Sequence, residues 1–203
     1  MTENPLLLLV MITGGFYLGW LWRTDARSAS QGHPKPNALP GATPARPLSI
    51  AIAVTGAVVL LVIETAGENA LGLAAQQSTI TGLFALYTLT AAIIEEIIFR
   101  GYLVVENRGA TARWLGAVAA SVVFALFHPF LWQWNEQGFA FTLGAKGAFS
   151  TAIVFATSLW LYFARFAAWN PTQSLLPCIA AHAAKNAGVI AIKASQGFLA
   201  GWW

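Results

Sequence analysis

Long, unbroken apolar runs constrain this chain more than any other feature. They cover about residues 5–22, 48–64, 79–105, 114–134, 147–165 and 174–194. Each is near the roughly 20 residues a helix needs to cross hydrocarbon. In lipid every backbone N–H and C=O must find a partner inside the chain, which leaves helices or a closed barrel. The runs are rich in Ala, Leu and Ile and do not alternate, so they read as helices. Of the 203 residues, 57% are hydrophobic and 9% charged, against about a quarter charged in soluble domains. The expected fold is all-α, a polytopic membrane bundle of about six transmembrane helices. It forms a single membrane domain over 1–203, with the lipid bilayer as its solvent. Nothing in the pattern points to a nucleic-acid partner.

The first run follows Met1-Thr2-Glu3-Asn4-Pro5 without the basic start of a secretory signal, so it reads as a retained span. Residues 24–47 are polar and hold Pro34, Pro36, Pro40, Pro44 and Pro47, the composition of a mobile connecting loop. Basic residues of short loops set orientation. Arg23, Arg27, Lys35, Arg46, Arg108, Arg113 and Arg165 fall on one side of a six-span bundle. Glu3, Glu64, Glu68, Glu136, Lys146 and Lys193 fall on the other. The basic loops are therefore expected in the cytoplasm and both termini outside. Trp20, Trp22, Trp114, Trp132, Trp134, Trp169, Trp202 and Trp203 stand near expected span ends, where aromatic belts form, and Trp160 lies inside the fifth span.

Ionisable residues inside a span are costly and usually functional. Ile93-Ile94-Glu95-Glu96-Ile97-Ile98-Phe99-Arg100 carries two adjacent carboxylates in an apolar run. Glu96 and Arg100 are one turn apart and can pair. Glu95 projects about 100° away and lacks that partner, so it is left free to react. His128 follows an apolar run and precedes Pro129. Glu95 lies about 13 residues before the turn near 108–113 and His128 about 15 after it, so both sit roughly 20 Å from that turn, at mid-span depth. In the last span, His182 and Asn186 are one turn apart on one face. Cys178 stands one turn before His182. As the single cysteine it permits no intrachain disulfide and reads as a small buried hydrophobe.

Glu-Glu-x-x-x-Arg, then Phe-x-x-x-His from Phe124 to His128, then His-x-x-x-Asn form an ordered triple motif. It resembles the CPBP family of intramembrane glutamic endopeptidases, which includes CAAX prenyl endopeptidases and bacteriocin-processing and immunity proteins. The resemblance covers about residues 79–194, the expected catalytic core. Residues 1–78, two spans and the Pro-rich loop, carry no family signal. By resemblance, Glu95 and His128 activate a water molecule, His182 and Asn186 form the oxyanion hole, and Glu96, Arg100 and Phe124 support the site. The implied partner is a membrane-associated protein or peptide substrate, and no cofactor is implied. The small size points to a prokaryotic plasma-membrane protein.

Three other readings stay open on the residues alone. Glu95, His128 and His182 make a plausible two-His-one-Glu zinc set, although a His-Glu-x-x-His helix is missing. Zinc is therefore disfavoured but not removed. A non-enzymatic immunity or scaffold protein would use the same helices without chemistry. Intramembrane Glu and His also build proton relays in transporters. Oligomeric state is not legible in the sequence.

Overall fold

The computed structural model describes residues 4–135 and 138–203, with the backbone alone for 133–135. Six long helices account for most of it: α1 (Pro5–Ser30), α2 (Pro47–Ala70), α3 (Gly82–Glu96), α4 (Gly109–Leu126), α5 (Ala145–Phe166) and α6 (Leu176–Ser195). The helix of α3 runs on through a π-helical turn, Ile97–Tyr102. Two short strands, β1 (Trp132–Asn135) and β2 (Gly138–Phe141), form an antiparallel hairpin between α4 and α5. The chain is thus a helical membrane bundle, as its composition requires.

Among the described residues, five helices are long and apolar enough to cross a bilayer: α1, α2, α3 with its π turn, α4 and α5. The sixth has the length, at 20 residues, but carries His182, Lys185, Asn186 and Lys193. Its place in the bundle explains how lipid tolerates this. It packs against α2, α3 and α5, so these helices offer its polar side chains protein partners. Lys185 Nζ meets Glu64 Oε2 at 2.6 Å, and the Asn186 amide donates to the Thr88 carbonyl at 2.9 Å. The α2–α5–α6 contact is built from small residues, with Ala53, Ala57, Ala164, Cys178 and Ala181 buried around Leu161. Small side chains let helix backbones approach closely where the hydrophobic effect is weak.

Several expected boundaries move. α1 does not stop near residue 22 but continues to Ser30. Residues 23–30 contain no Gly or Pro, and the stop comes at Gly32, with φ +83°. There Gly32 N–H donates to Ala29 O and His33 N–H to Ser28 O, the paired bonds of a Schellman ending. Trp22 is therefore not an interface anchor: it is buried, and its indole N–H donates to the Pro40 carbonyl at 3.2 Å. α2 likewise runs six residues past its expected end, so Glu64 and Glu68 lie inside the helix rather than in an outer loop. Glu68 is buried, paired with Lys146 and bonded by the Gln77 amide at 2.7 Å.

The Pro-rich loop is not a loose tether. Asp25 accepts from Lys35 Nζ at 2.8 Å and from Leu39 N–H at 3.0 Å. Further on, Gly41, Thr43 and Pro44 exchange four hydrogen bonds with the α5–α6 turn: Leu175 N–H to Gly41 O, Thr43 Oγ1 to Thr172 O, Thr172 Oγ1 to Pro44 O and Ser174 Oγ to Thr43 O. The first of these uses the carbonyl of Gly41, whose φ of +59° permits the turn.

The largest change falls on the fourth span, expected over 114–134. The helix α4 begins earlier and ends at Leu126. His128 has φ −66° and ψ 132°, an extended conformation. The reason is Pro129, whose ring disfavours the helical region for the residue before it. His128 therefore stands beyond the end of α4 and not in mid-helix. A 3₁₀ turn, Pro129–Leu131, then leads into the hairpin. Glu3, Glu136 and the Trp134 side chain, used in the orientation and belt readings, lie outside the described residues.

Candidate active site

The centre of the site is a buried polar chain between α3 and α6. Glu96 Oε1 accepts from Arg100 Nη1 at 3.0 Å, and both side chains are 0% exposed. The same oxygen lies 2.8 Å from His182 Nδ1. An oxygen already holding a guanidinium acts as a carboxylate acceptor, so Nδ1 carries the proton. The opposite nitrogen, Nε2, lies 3.7 Å from Glu95 Oε2. Glu95 is the more open of the two carboxylates, with its side chain 33% exposed. The division expected from helical geometry holds: Glu96 is tied to Arg100, and Glu95 is not. The sequence did not indicate that Glu96 would also hold His182.

Arg100 is anchored on its other side by α5. Its Nη2 donates to Ser158 Oγ at 2.6 Å and to Ser158 O at 3.1 Å. Ser158 Oγ in turn donates to Ser121 Oγ of α4 at 2.8 Å. The guanidinium also lies over the Phe124 ring, 4.7 Å from its centroid, and over the Tyr162 ring at 5.0 Å. These are cation–π contacts in a desolvated setting. Ser121, Ser158 and Tyr162 were not singled out in the sequence, because an isolated hydroxyl in an apolar run gives no signal of its own.

His128 joins through Phe124. Its Nδ1 is 2.8 Å from the Phe124 carbonyl. A carbonyl only accepts, so Nδ1 carries the hydrogen, and in the neutral ring Nε2 keeps its lone pair. The Phe124 ring contacts His128 at 4.8 Å between centroids and His182 at 6.1 Å, edge-on in both cases. It forms the wall between the two imidazoles. Asn186 is one turn beyond His182 on α6, and the bond to Thr88 O uses one of its two amide hydrogens. The structure thus joins Glu95, Glu96, Arg100, His182, Phe124 and His128 in one chain of contacts, with His128 entering through Phe124. Asn186 follows His182 on α6 and is bonded to Thr88.

Cys178 is fully buried, with its thiol toward the Leu161 carbonyl at 3.3 Å. It faces the α5 contact. Among the described residues, no three His, Cys, Asp or Glu side chains are placed to hold a metal ion. An apolar groove runs between α2, α4 and α5, bounded by Gly56, Trp114, Trp160 and Phe163.

Fold and site together define an integral membrane protein with an ionisable cluster built into the meeting of α3, α4, α5 and α6. Comparison with protein families gives the particular assignment. The model of the type II CAAX prenyl endopeptidase Rce1-like family matches residues 77–188, more than half of the chain, and the chain belongs to that family. It is therefore a membrane endopeptidase. No curated protein and no solved structure matches it. The match takes in all three motifs and leaves out α1, the Pro-rich loop and α2.

Proposed function

We propose that this protein hydrolyses a peptide bond of a membrane-associated protein or peptide by a glutamic mechanism. The observation that carries this is the asymmetry of the two glutamates about one imidazole. Glu96 is held by Arg100 and His182, both on Oε1, whereas Glu95 is partly open and stands at Nε2. Glu95 accepts a proton from a water molecule, with the free Nε2 of His128 as a second acceptor that orients it. The hydroxide adds to the substrate carbonyl. The oxyanion receives the second amide hydrogen of Asn186 and an Nε2–H from His182. With Nδ1–H committed to Glu96, that donor requires the imidazolium form, and Glu96 is its counterion. Such a donor is worth about 10²–10³ in kcat. The proton held by Glu95 then passes to the leaving amine.

The reading includes no metal. It places the protein in a prokaryotic plasma membrane as one membrane domain, with basic loops in the cytoplasm and both termini outside. Substrates are prenylated proteins or the C-terminal tails of exported precursors.

The test is proteomics of cells carrying the wild-type protein or Glu95→Ala, seeking membrane-anchored precursors that stay uncleaved in the variant. In parallel, purified protein is assayed in proteoliposomes after chelator treatment. Accumulated precursors and chelator-insensitive activity are expected. A fully active Glu95→Gln enzyme refutes the glutamic mechanism, and activity lost to chelator and restored by zinc refutes the metal-free one. A C-terminal alkaline phosphatase fusion active in cells is the expected orientation result.

A further inference from the structure

The motif residues come from α3, α4 and α6, yet the charged chain that ends at His182 begins on α5. Two α5 residues one turn apart, Ser158 and Tyr162, address Arg100 and the backbone around it. Both are buried, Tyr162 at 1% exposure.

The Tyr162 hydroxyl lies 2.6 Å from the Phe99 carbonyl and 3.0 Å from that of Leu103. These carbonyls belong to the π-helical turn and its exit. There Leu103 N–H returns to Ile98 O, five residues back, at 2.9 Å. A π turn is rare and frequently marks a functional site. It leaves carbonyls that the ordinary four-residue ladder would have used. Inside a membrane protein such groups need a partner from elsewhere, and the single O–H of one phenol stands within reach of both. The same ring lies under the Arg100 guanidinium. Arg165, three residues on, adds an Nε–H to the Arg100 carbonyl at 3.3 Å. Ser158 holds the guanidinium directly.

We infer that Tyr162 and Ser158 are positioning residues for hydrolysis: they hold the π turn and Arg100 so that Glu96 keeps His182 aimed at Glu95. This rests on the proposed reading of the site. Neither residue touches the groups assigned to water or oxyanion. Their effect travels through Arg100 Nη1, Glu96 Oε1 and His182 Nδ1, a path of contacts at 3.0 and 2.8 Å. If the π turn relaxes, Phe99 and Leu103 lose the shared phenol and Arg100 rotates away from Ser158.

The test uses the full chain in proteoliposomes with a cleavable membrane peptide. Tyr162→Phe removes the hydroxyl and keeps the ring. It is expected to lower kcat by about tenfold, the scale of one or two lost hydrogen bonds, while KM stays the same. Ser158→Ala is expected to lower kcat, and Ser158→Thr, which restores a hydroxyl, to recover it. The decisive measurement is a double-mutant cycle with Glu96→Gln in single turnovers. If Tyr162 acts through Glu96, adding Tyr162→Phe to Glu96→Gln slows the reaction no further. Full multiplication of the two losses, or wild-type kcat in Tyr162→Phe, overturns the inference. Should Tyr162→Phe fail to fold, the Ser158 pair decides by the same cycle. Glu95→Gln serves as the control: if it is active, the reading of the site has failed. If it is dead while Tyr162→Phe and Ser158→Ala keep wild-type kcat, only the positioning role has failed.

Discussion

Replacing Glu96 by Gln is the most informative single change, because one oxygen serves both the stability of the bundle and the aim of His182. Glu96 Oε1 accepts from Arg100 Nη1 at 3.0 Å and from His182 Nδ1 at 2.8 Å. Glutamine keeps the volume and an acceptor oxygen but no charge. Bonds to charged groups contribute about 1.5–3 kcal/mol and neutral ones about 0.5–1.5, so weakening two costs about 2–3 kcal/mol. Stranding a buried guanidinium pushes the loss toward the 3–5 kcal/mol typical of a broken buried pair, at roughly the lower end. Ser158 keeps its two bonds to Arg100, which is why the lower end applies. For a chain near this length, about 3 kcal/mol corresponds to a Tm fall of roughly 6–12 °C. A detergent thermal-shift assay reads it. The same change removes the carboxylate that orients the imidazole, so kcat is expected to drop by about 10²-fold or more. A paired variant separates the two effects. Glu96→Leu with Arg100→Met replaces both charges by apolar groups, and such replacements are often neutral or stabilising. It is expected to regain the Tm and stay inactive. An unchanged Tm and kcat in Glu96→Gln, or an active apolar pair, would refute the reasoning.

Three further outcomes are expected. Pro129→Ala frees His128 to enter the helical region; kcat falls, and hydrogen exchange shows α4 protected past Leu126, whereas full activity would detach the extended His128 from function. Gly56→Ala sets a methyl into the Trp160 indole, at a cost of about 1–3 kcal/mol for overpacking, read as a lower Tm. Cys178→Ala retains kcat, since the thiol faces Leu161 and not the carboxylates; an inactive but folded variant would make the thiol a participant in the reaction.

The number of long helices, their residence in lipid and the pairing of Glu96 with Arg100 were all present in the sequence. These are one-dimensional facts: continuous apolarity sets a span, and a four-residue spacing sets a helix face. The freedom of Glu95 from Arg100 followed from the same spacing. Helix ends were less legible. Polar residues such as Asp25, Glu64 and Glu68 sit within helices that outrun the apolar stretch, because Gly32 and Gly72, with φ +83° and +67°, stop the chain and not the change in polarity. Pro129 is plain in the sequence, but that it ends α4 before the histidine shows only in the backbone of His128. Which helices face which is a matter of packing. The Glu96–His182 bond spans 86 residues and Arg100–Ser158 spans 58. No local pattern encodes such contacts, since they depend on how α3, α5 and α6 pack. The run of apolar residues around Glu95, Glu96 and Arg100 already requires that these charges be buried. Packing determined what satisfies them, because in hydrocarbon a polar group takes its partner from whichever helix the fold brings within reach.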